Sequence, residues 1–132
     1  MRMSMSLIQA MLADLLAQQG DEAAARSRAE LAVSRSDLGE ERGFDLALRV
    51  LHRLDLQAGD FSAAESRREA MYRHAEQANS LREKLLADVE AACALEHPEA
   101  RRQVGAIAIS ALREMGMPGV AERADYRIRS AG

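Results

Sequence analysis

Apolar residues recur at helical spacing along most of the chain. In residues 5–19 the large apolar side chains fall on one side of a helix that ends at Gly20, and they are Ile8, Met11, Leu12, Leu15 and Leu16. Comparable stripes predict further helices at about 21–36, 44–58, 60–78, 80–96, 98–115 and 119–130. The pattern therefore predicts an all-α protein of about seven helices.

A repeated phrase marks two of the connections between helices. Residues 15–25 are LLAQQGDEAAA, and residues 54–64 are LDLQAGDFSAA. In each phrase the glycine can adopt the left-handed conformation that ends a helix, and the aspartate after it can cap the next helix. The sequence therefore predicts helical hairpins at about 5–36 and 44–78.

The boundaries between these hairpins and beyond them are marked differently. Residues 37–43 carry two glycines and are expected to turn the chain between the two hairpins. Residues 60–96 allow two interpretations. In the first, they form one continuous helix. In the second, Asn79 ends one helix and a capping box begins another, with Ser80 and Glu83 each satisfying a free N–H group.

A third hairpin is predicted at about 98–130. Pro98 suits the first turn of a helix, and the segment Gly116-Met117-Pro118 turns the chain back. An extra helix at about 80–96 lies between the second and third hairpins. The 132 residues are expected to form a single domain, because a chain of this length buries about two thirds of its unfolded surface.

The stripes also predict which side chains pack inward. In the second helix an alanine stripe would let another helix approach closely, and it consists of Ala25, Ala29 and Ala32. In the third and fourth helices the inward residues are Phe44, Ala47, Leu48, Leu51, Leu54, Phe61, Ala64, Met71 and Ala75. In the later helices they are Leu81, Leu85, Val89, Cys93, Val104, Ile107, Ala108, Ala111, Leu112, Met115, Val120, Ala121, Ala124 and Ile128.

The chain resembles the tetratricopeptide repeat family at positions in all three predicted hairpins. The first hairpin carries the resemblance in Leu12, Ala13, Leu16, Gly20, Asp21, Ala25, Ala29 and Ala32. The second carries it in Leu51, Gly59, Asp60, Phe61 and Ala64, and the third in Leu112, Gly116 and Ala121. The resemblance implies a right-handed superhelix of antiparallel helical hairpins, which is an α-solenoid.

The chain departs from the family at several points. His52 stands where a small residue is usual, Arg68 where a bulky apolar one is usual, and Met117-Pro118 replaces the acidic cap. The first two turn glycines are further apart than the usual repeat of about 34 residues. Units of this length look like the divergent repeats of bacterial signalling and transcription regulators.

The resemblance also implies a ligand groove, which the family lines with the leading helix of each hairpin. The corresponding residues are Leu7, Ala10, Asp14 and Gln18 in the first helix, and Leu46, Arg49, Arg53, Leu56 and Gln57 in the third. Arg49 and Arg53 share a helix face, where two guanidinium groups could grip a carboxylate or an acidic peptide. Alternatively, the two arginines solvate the surface and pair with Asp45 or Glu41.

Charge and motif content argue against other classes of function. A net charge of −3 gives no broad attraction to nucleic acid or to an anionic membrane, and no apolar run is long enough for a membrane span. Cys93 and the three histidines show no metal-ligand spacing, and His52 is expected to pack between helices. The sequence therefore predicts no catalytic residue, no cofactor and no metal, and a cytoplasmic protein.

Three hypotheses remain. The leading one is a non-catalytic protein interaction module of a bacterial cytoplasmic protein, or a part of a larger signalling or transcription regulator, that binds a peptide or helix in the groove. The second is a homodimer, in which apolar stripes on helices 5–19 and 119–130 pair with a second copy. The third is nucleic-acid binding through the Arg-rich C-terminal end, but 119–130 lacks the dense basic face of a recognition helix.

Overall fold

The computed structural model describes residues 5–35 and 41–131. Every regular element within these residues is an α-helix. They are α1 (Met5–Gln18), α2 (Glu22–Ser34), α3 (Glu41–Gln57), α4 (Phe61–Gln77), α5 (Leu81–Cys93), α6 (Pro98–Glu114) and α7 (Pro118–Ser130). The predicted all-α class and the seven helices are confirmed for the part of the chain that the structure describes.

The connection between α1 and α2 explains the repeated phrase. Gly20 has a φ of 86°, and its N–H donates to the carbonyl of Ala17, while the N–H of Asp21 donates to the carbonyl of Leu16. These two bonds form a Schellman motif, which needs a residue in the left-handed region after the helix. The side chain of Asp21 also accepts from the N–H of Ala24 and so caps α2.

The same pair of backbone bonds recurs at Gly59, at Asn79 and at Gly116. Asp60 and Ser80 cap the helices that follow the first two of these turns. α7 follows the third turn, and it begins without a side-chain cap in the described part of the chain. One two-residue turn therefore makes four of the connections between helices.

The turn at Asn79 confirms the break within residues 60–96. Asn79 has a φ of 49° and is the one described non-glycine residue with a positive φ. The Ser80 hydroxyl accepts from the N–H of Glu83 at 3.1 Å, which is the predicted Ser80 half of the capping box. Asparagine tolerates the left-handed region, so this connection has the geometry of the glycine turns without their glycine.

Chain contacts divide the molecule into two compact units, with the boundary between Met71 and Tyr72. The first unit contains α1, α2, α3 and the beginning of α4. The Ser6 hydroxyl donates to the Ala32 carbonyl at 2.9 Å, and Arg28 donates to the Gln9 side chain at 2.9 Å. Residue numbers thus fall along α2 as they rise along α1, which makes the two helices an antiparallel hairpin.

Small side chains dominate the core of the first unit. Its buried members are Ala10, Ala13, Ala25, Ala29, Ala32, Ala47, Val50, Leu51 and Leu54. The predicted stripes of α2 and of most of α3 are therefore confirmed. Alanine fills little space, so the helix backbones must approach closely for these residues to lose contact with water.

The apolar stripe predicted for α1 is buried only in part, with Leu16 packed against the core. Met11, Leu12 and Leu15 are exposed, whereas the helix buries Ser6, Gln9, Ala10 and Ala13. The buried side faces the alanine stripe of α2, where only small or hydrogen-bonded side chains fit at this separation. The larger apolar residues therefore remain on the outer side of the helix.

Several other predicted core residues are exposed as well. They are Phe61, Leu81, Val104, Ile107 and Met115, and the exposed fraction reaches 66% for Phe61 and 74% for Ile107. Phe61 and Leu81 are the first residues of their helices, directly after the capping residue, and there they face solvent. Ile107 lies on the side of α6 opposite Gly105, the residue that meets α7.

The second unit is built from α5, α6, α7 and the end of α4. α6 and α7 pack together at Gly105, where the side chain of Ile128 occupies the place that a Cβ would take. The buried carboxylate of Glu90 accepts from Arg127 at 3.3 Å, and Cys93 is buried as predicted. Arg101 donates to the Leu95 carbonyl at 2.9 Å and so holds the connection between α5 and α6.

None of the described helices is long and apolar enough to cross a lipid bilayer.

The turn glycines are required for their φ and not for space, because a Cβ at Gly20 would meet no atom within 4 Å. We expect Gly20→Ala to lower the free energy of unfolding by about 1 kcal/mol, the cost of a Cβ in the left-handed region. Gly20→Asn should lose less than half of that, because Asn79 already adopts this conformation. Denaturant titration of both variants gives the two values, and equal losses would contradict this explanation of the turn.

Candidate functional site

The residues predicted to line a groove all lie in the first unit, on α1 and α3. Ala10 was predicted to line the groove as well, but it is fully buried in the core. We call the remaining surface the α1/α3 face and define it by Leu7, Asp14, Gln18, Leu46, Arg49, Arg53, Leu56 and Gln57. Its geometry depends on how the two helices pack, since residues on separate helices can act together only if those helices lie side by side.

Gly43 allows α1 and α3 to touch. A Cβ at Gly43 would overlap the backbone of Ser6 and Leu7, so the two helices meet there backbone to backbone. Residues 41–43 lie inside α3, so their prediction as part of the turn between hairpins is wrong. The rest of that predicted turn, up to residue 40, lies outside the described residues.

A second contact fixes the direction of the two helices. Arg53 donates to the Asp14 carboxylate at 3.2 Å, while Gly43 adjoins Ser6 at the other end of the same pair. Residue numbers therefore rise together along both helices, which makes α1 and α3 parallel. α2 connects them and runs in the opposite direction, because the chain must return before a second parallel helix can begin.

Three of the predicted groove residues form one polar cluster. Arg53 binds one oxygen of Asp14, and the Gln18 amide donates to the other oxygen at 3.2 Å. The side chains of Asp14 and Arg53 are 29% and 24% exposed, so the ion pair is half-buried but accessible from solvent. Arg53 thus binds Asp14, an acidic residue that was not among the partners predicted for the two arginines, Asp45 and Glu41.

The other predicted residues surround this cluster. Arg49 is half-buried one turn before Arg53, and Gln57 is exposed one turn after it. Leu46 is partly buried and packs against the core of the unit. Leu7 and Leu56 are also half-buried, so the face offers apolar surface on both sides of a central charged pair.

Among the residues that the structure describes, one ion pair holds the Arg53 guanidinium. Within the described residues its Nε atom is buried without a hydrogen-bond partner. A guanidinium has five donors in a planar fork, which suits bidentate contact with a carboxylate. The Nε donor is buried, so a ligand carboxylate could contact only the accessible part of the guanidinium beside Asp14.

A buried ion pair beneath this face holds three helices together. The Asp55 side chain is 2% exposed, and it accepts from Arg26 of α2 at 2.8 Å and from Arg67 of α4 at 3.3 Å. Both carboxylate oxygens are therefore paired with a guanidinium. A buried carboxylate is tolerated only with such partners.

His52 and Arg68 make a neighbouring contact. His52 is fully buried, as predicted, and its Nε2 atom lies 2.9 Å from a terminal nitrogen of Arg68. Arginine has only donors, so Nε2 must accept and the proton of the neutral ring is on Nδ1. The buried imidazole of His52 and the Arg68 guanidinium therefore satisfy each other.

Asp55 and its two arginine partners were not among the residues predicted from the sequence. The sequence does indicate that Asp55 is buried, because it lies four residues after Leu51 and three after His52, within the inward stripe of α3. An acidic residue in such a stripe indicates a buried partner. The partners themselves, Arg26 and Arg67, could not be identified from spacing along the chain.

The second unit holds a shallow cavity of about 450 Å³ at the turn between α4 and α5. Its lining residues are Tyr72, Ala75, Glu76, Asn79, Ser80, Leu81 and Lys84. Tyr72 donates to Asp88 at 2.6 Å, Lys84 pairs with the same carboxylate, and Ser80 caps α5. Three of its polar groups are thus already engaged in holding the fold.

Gly43→Ala tests the contact that builds the α1/α3 face. Alanine normally stabilises a helix interior relative to glycine, but here its methyl group would push α1 away from α3. We expect the free energy of unfolding to fall by about 1 kcal/mol or more, the cost of overpacking. Gly119→Ala in α7 is the matched control, because its Cβ would meet only an arginine end at 3.7 Å and should not destabilise.

Asp55 and Asp14, two of the aspartates of the first unit, should differ in their effect on stability. Asp55→Ala leaves two guanidinium groups without their buried partner and should cost about 3 kcal/mol. Asp14→Ala removes the same charge from a half-exposed ion pair and should cost less than about 1 kcal/mol. Denaturant unfolding measures both, and similar losses would show that burial does not decide the role of these carboxylates.

The α1/α3 face therefore combines two arginines, a carboxylate and two amides with apolar side chains, on two helices fixed by backbone contact. These groups can bind hydrogen-bonding and acidic ligands, and within residues 5–35 and 41–131 no group of three metal-ligating side chains is found. Comparison with family models, with curated proteins and with solved structures finds no match for this chain.

Proposed function

We propose that the protein is a non-catalytic interaction module whose first unit binds a peptide or helix of a partner protein along the α1/α3 face. The observation that carries the proposal is the cluster of Arg53, Asp14 and Gln18. These residues come from two parallel helices and are accessible to solvent at the centre of the surface. The proposal includes no chemical step and no cofactor.

The cluster favours a partner that carries a carboxylate. Arg53 can exchange its single contact with Asp14 for a bidentate contact with a ligand carboxylate, and Arg49 adds a second positive charge one turn away. Gln18 and Gln57 offer amide groups that can both donate to and accept from a peptide backbone. The predicted ligand is therefore an acidic segment.

Apolar residues would supply much of the contact area. Leu46 packs against the core, so its position is fixed before binding, and Leu7 and Leu56 present half-buried side chains nearby. Fixed apolar contacts lower the entropy that is lost when a ligand binds. The face thus has the usual composition of a small interaction surface, with a charged centre between apolar contacts.

The resemblance to tetratricopeptide repeats supports the same proposal. In that family the leading helices of successive hairpins line the ligand groove, and here α1 and α3 lie parallel and in contact. We propose accordingly that the hairpins continue the right-handed arrangement of an α-solenoid. A bacterial signalling or transcription regulator is the setting that this resemblance implies.

A peptide display library tests the proposal directly, because selection from a library does not require the partner to be identified. Selection on the immobilised full chain should enrich peptides that contain acidic residues. A selected peptide should bind Arg49→Gln/Arg53→Gln at least about tenfold more weakly, since a hydrogen bond to a charged group contributes about 1.5–3 kcal/mol. Fluorescence anisotropy with a labelled peptide gives both dissociation constants.

Arg129→Gln is the matched control, because Arg129 is an exposed arginine of α7 in the second unit. It should leave peptide affinity unchanged. Failure to enrich any peptide, or equal affinity for the wild type and the double variant, would rule out the α1/α3 face as the binding surface.

A further inference from the structure

The outer side of α1 carries a continuous apolar stripe. Its members are Met5, Ile8, Met11, Leu12 and Leu15, and we call it the outer α1 stripe. Met5 is 46% exposed, Met11 44%, Leu12 39% and Leu15 53%. Met5, Ile8, Leu12 and Leu15 follow the alternating spacing of three and four residues that is typical of a helix packing against another helix.

This stripe lies away from the contacts that α1 makes within the first unit. The helix packs against α2 and α3 through Ser6, Gln9, Ala10 and Ala13, which are buried. The exposed side chains of the stripe remain in contact with water unless another surface covers them.

The outer α1 stripe also carries no charge. Asp14 is the single ionisable residue of α1, and it is bound to Arg53 on another side of the helix. Each of the other six described helices carries four or more charged residues. The absence of charge is therefore specific to the helix with the exposed stripe.

We infer that the occupant of the outer α1 stripe is a second copy of this chain, with α1 packed against α1 in a twofold-symmetric dimer. In a symmetric contact the same patch lies on both sides, so a charged residue near the axis would face its own copy. A different partner would be selected through complementary charges around the apolar contact. The stripe lacks such charges and thus fits a self-complementary contact.

The number of outward charged residues also distinguishes α1 from α7, the other helix considered for self-association. The outward residues of α7 include Glu122, Arg123 and Arg129, and Tyr126 is its one exposed large apolar side chain among the described residues. The contact is therefore assigned to α1 alone. It uses different residues from the proposed α1/α3 face, and neither proposal depends on the other.

The size of the stripe determines the strength of the dimer. A few exposed leucine and methionine side chains amount to a patch of a few hundred Å² on each copy. Two such patches bury less than the roughly 1,200 Å² of a stable interface. The dimer is accordingly weak, with a dissociation constant in the micromolar range or above, and it forms in proportion to concentration.

Sedimentation equilibrium of the full chain tests this inference, over about 1 µM to 1 mM. The wild type should pass from monomer to dimer within this range. Leu15→Glu should raise the dissociation constant at least about tenfold, because it replaces a buried leucine contact with a charge that faces its own copy. The melting temperature should stay unchanged, since Leu15 is exposed and glutamate is a good helix former.

Leu81→Glu provides the matched control, because Leu81 is an equally exposed leucine at the start of α5. It should leave the dissociation constant of the dimer as in the wild type. A wild type that remains monomeric at the highest concentration overturns the inference. A Leu15→Glu variant that dimerises normally, or a Leu81→Glu variant that dissociates as strongly, overturns it as well.

Discussion

The close approach of helix backbones in the first unit is the constraint on which the rest of the structure depends. Gly43 has no room for a Cβ, because α3 meets the backbone of α1 there, and alanines line most of the surrounding contacts. Small side chains give little apolar area each, so the stability of such a core comes from dense contact between backbones. The parallel arrangement of α1 and α3, and with it the cluster of Arg53 and Asp14, follows from this contact.

A core of small residues leaves space for polar groups at its edge. Asp55 and His52 occupy inward positions of α3, and arginines from α2 and α4 reach in to bind them. The arginine stems cover apolar surface while the guanidinium groups satisfy the buried acceptors. The same interactions that neutralise Asp55 join three helices, so a residue that is unfavourable when buried alone also specifies how those helices pack.

α1 shows how one short helix can take part in three different surfaces. Its small residues contact α2 and α3, Asp14 and Gln18 belong to the α1/α3 face, and its largest apolar side chains point outward. Periodicity alone assigned those large residues to the core, because a hydrophobic stripe normally marks the buried side. Here the neighbouring helix lies too close for them, and the apolar stripe becomes available for contact with another molecule.

The sequence by itself determined the helices and the turns. Gly20, Asn79 and Ser80 act through φ preferences and hydrogen bonds that reach only a few residues along the chain, so their roles could be predicted locally. Only the tertiary structure decided which side of α1 is buried, that Gly43 belongs to a helix contact, and that Arg53 meets Asp14. These features depend on how closely separate helices approach, and Arg53 and Asp14 are 39 residues apart in the chain. Residue spacing within one helix carries no information about the distance between that helix and its neighbours.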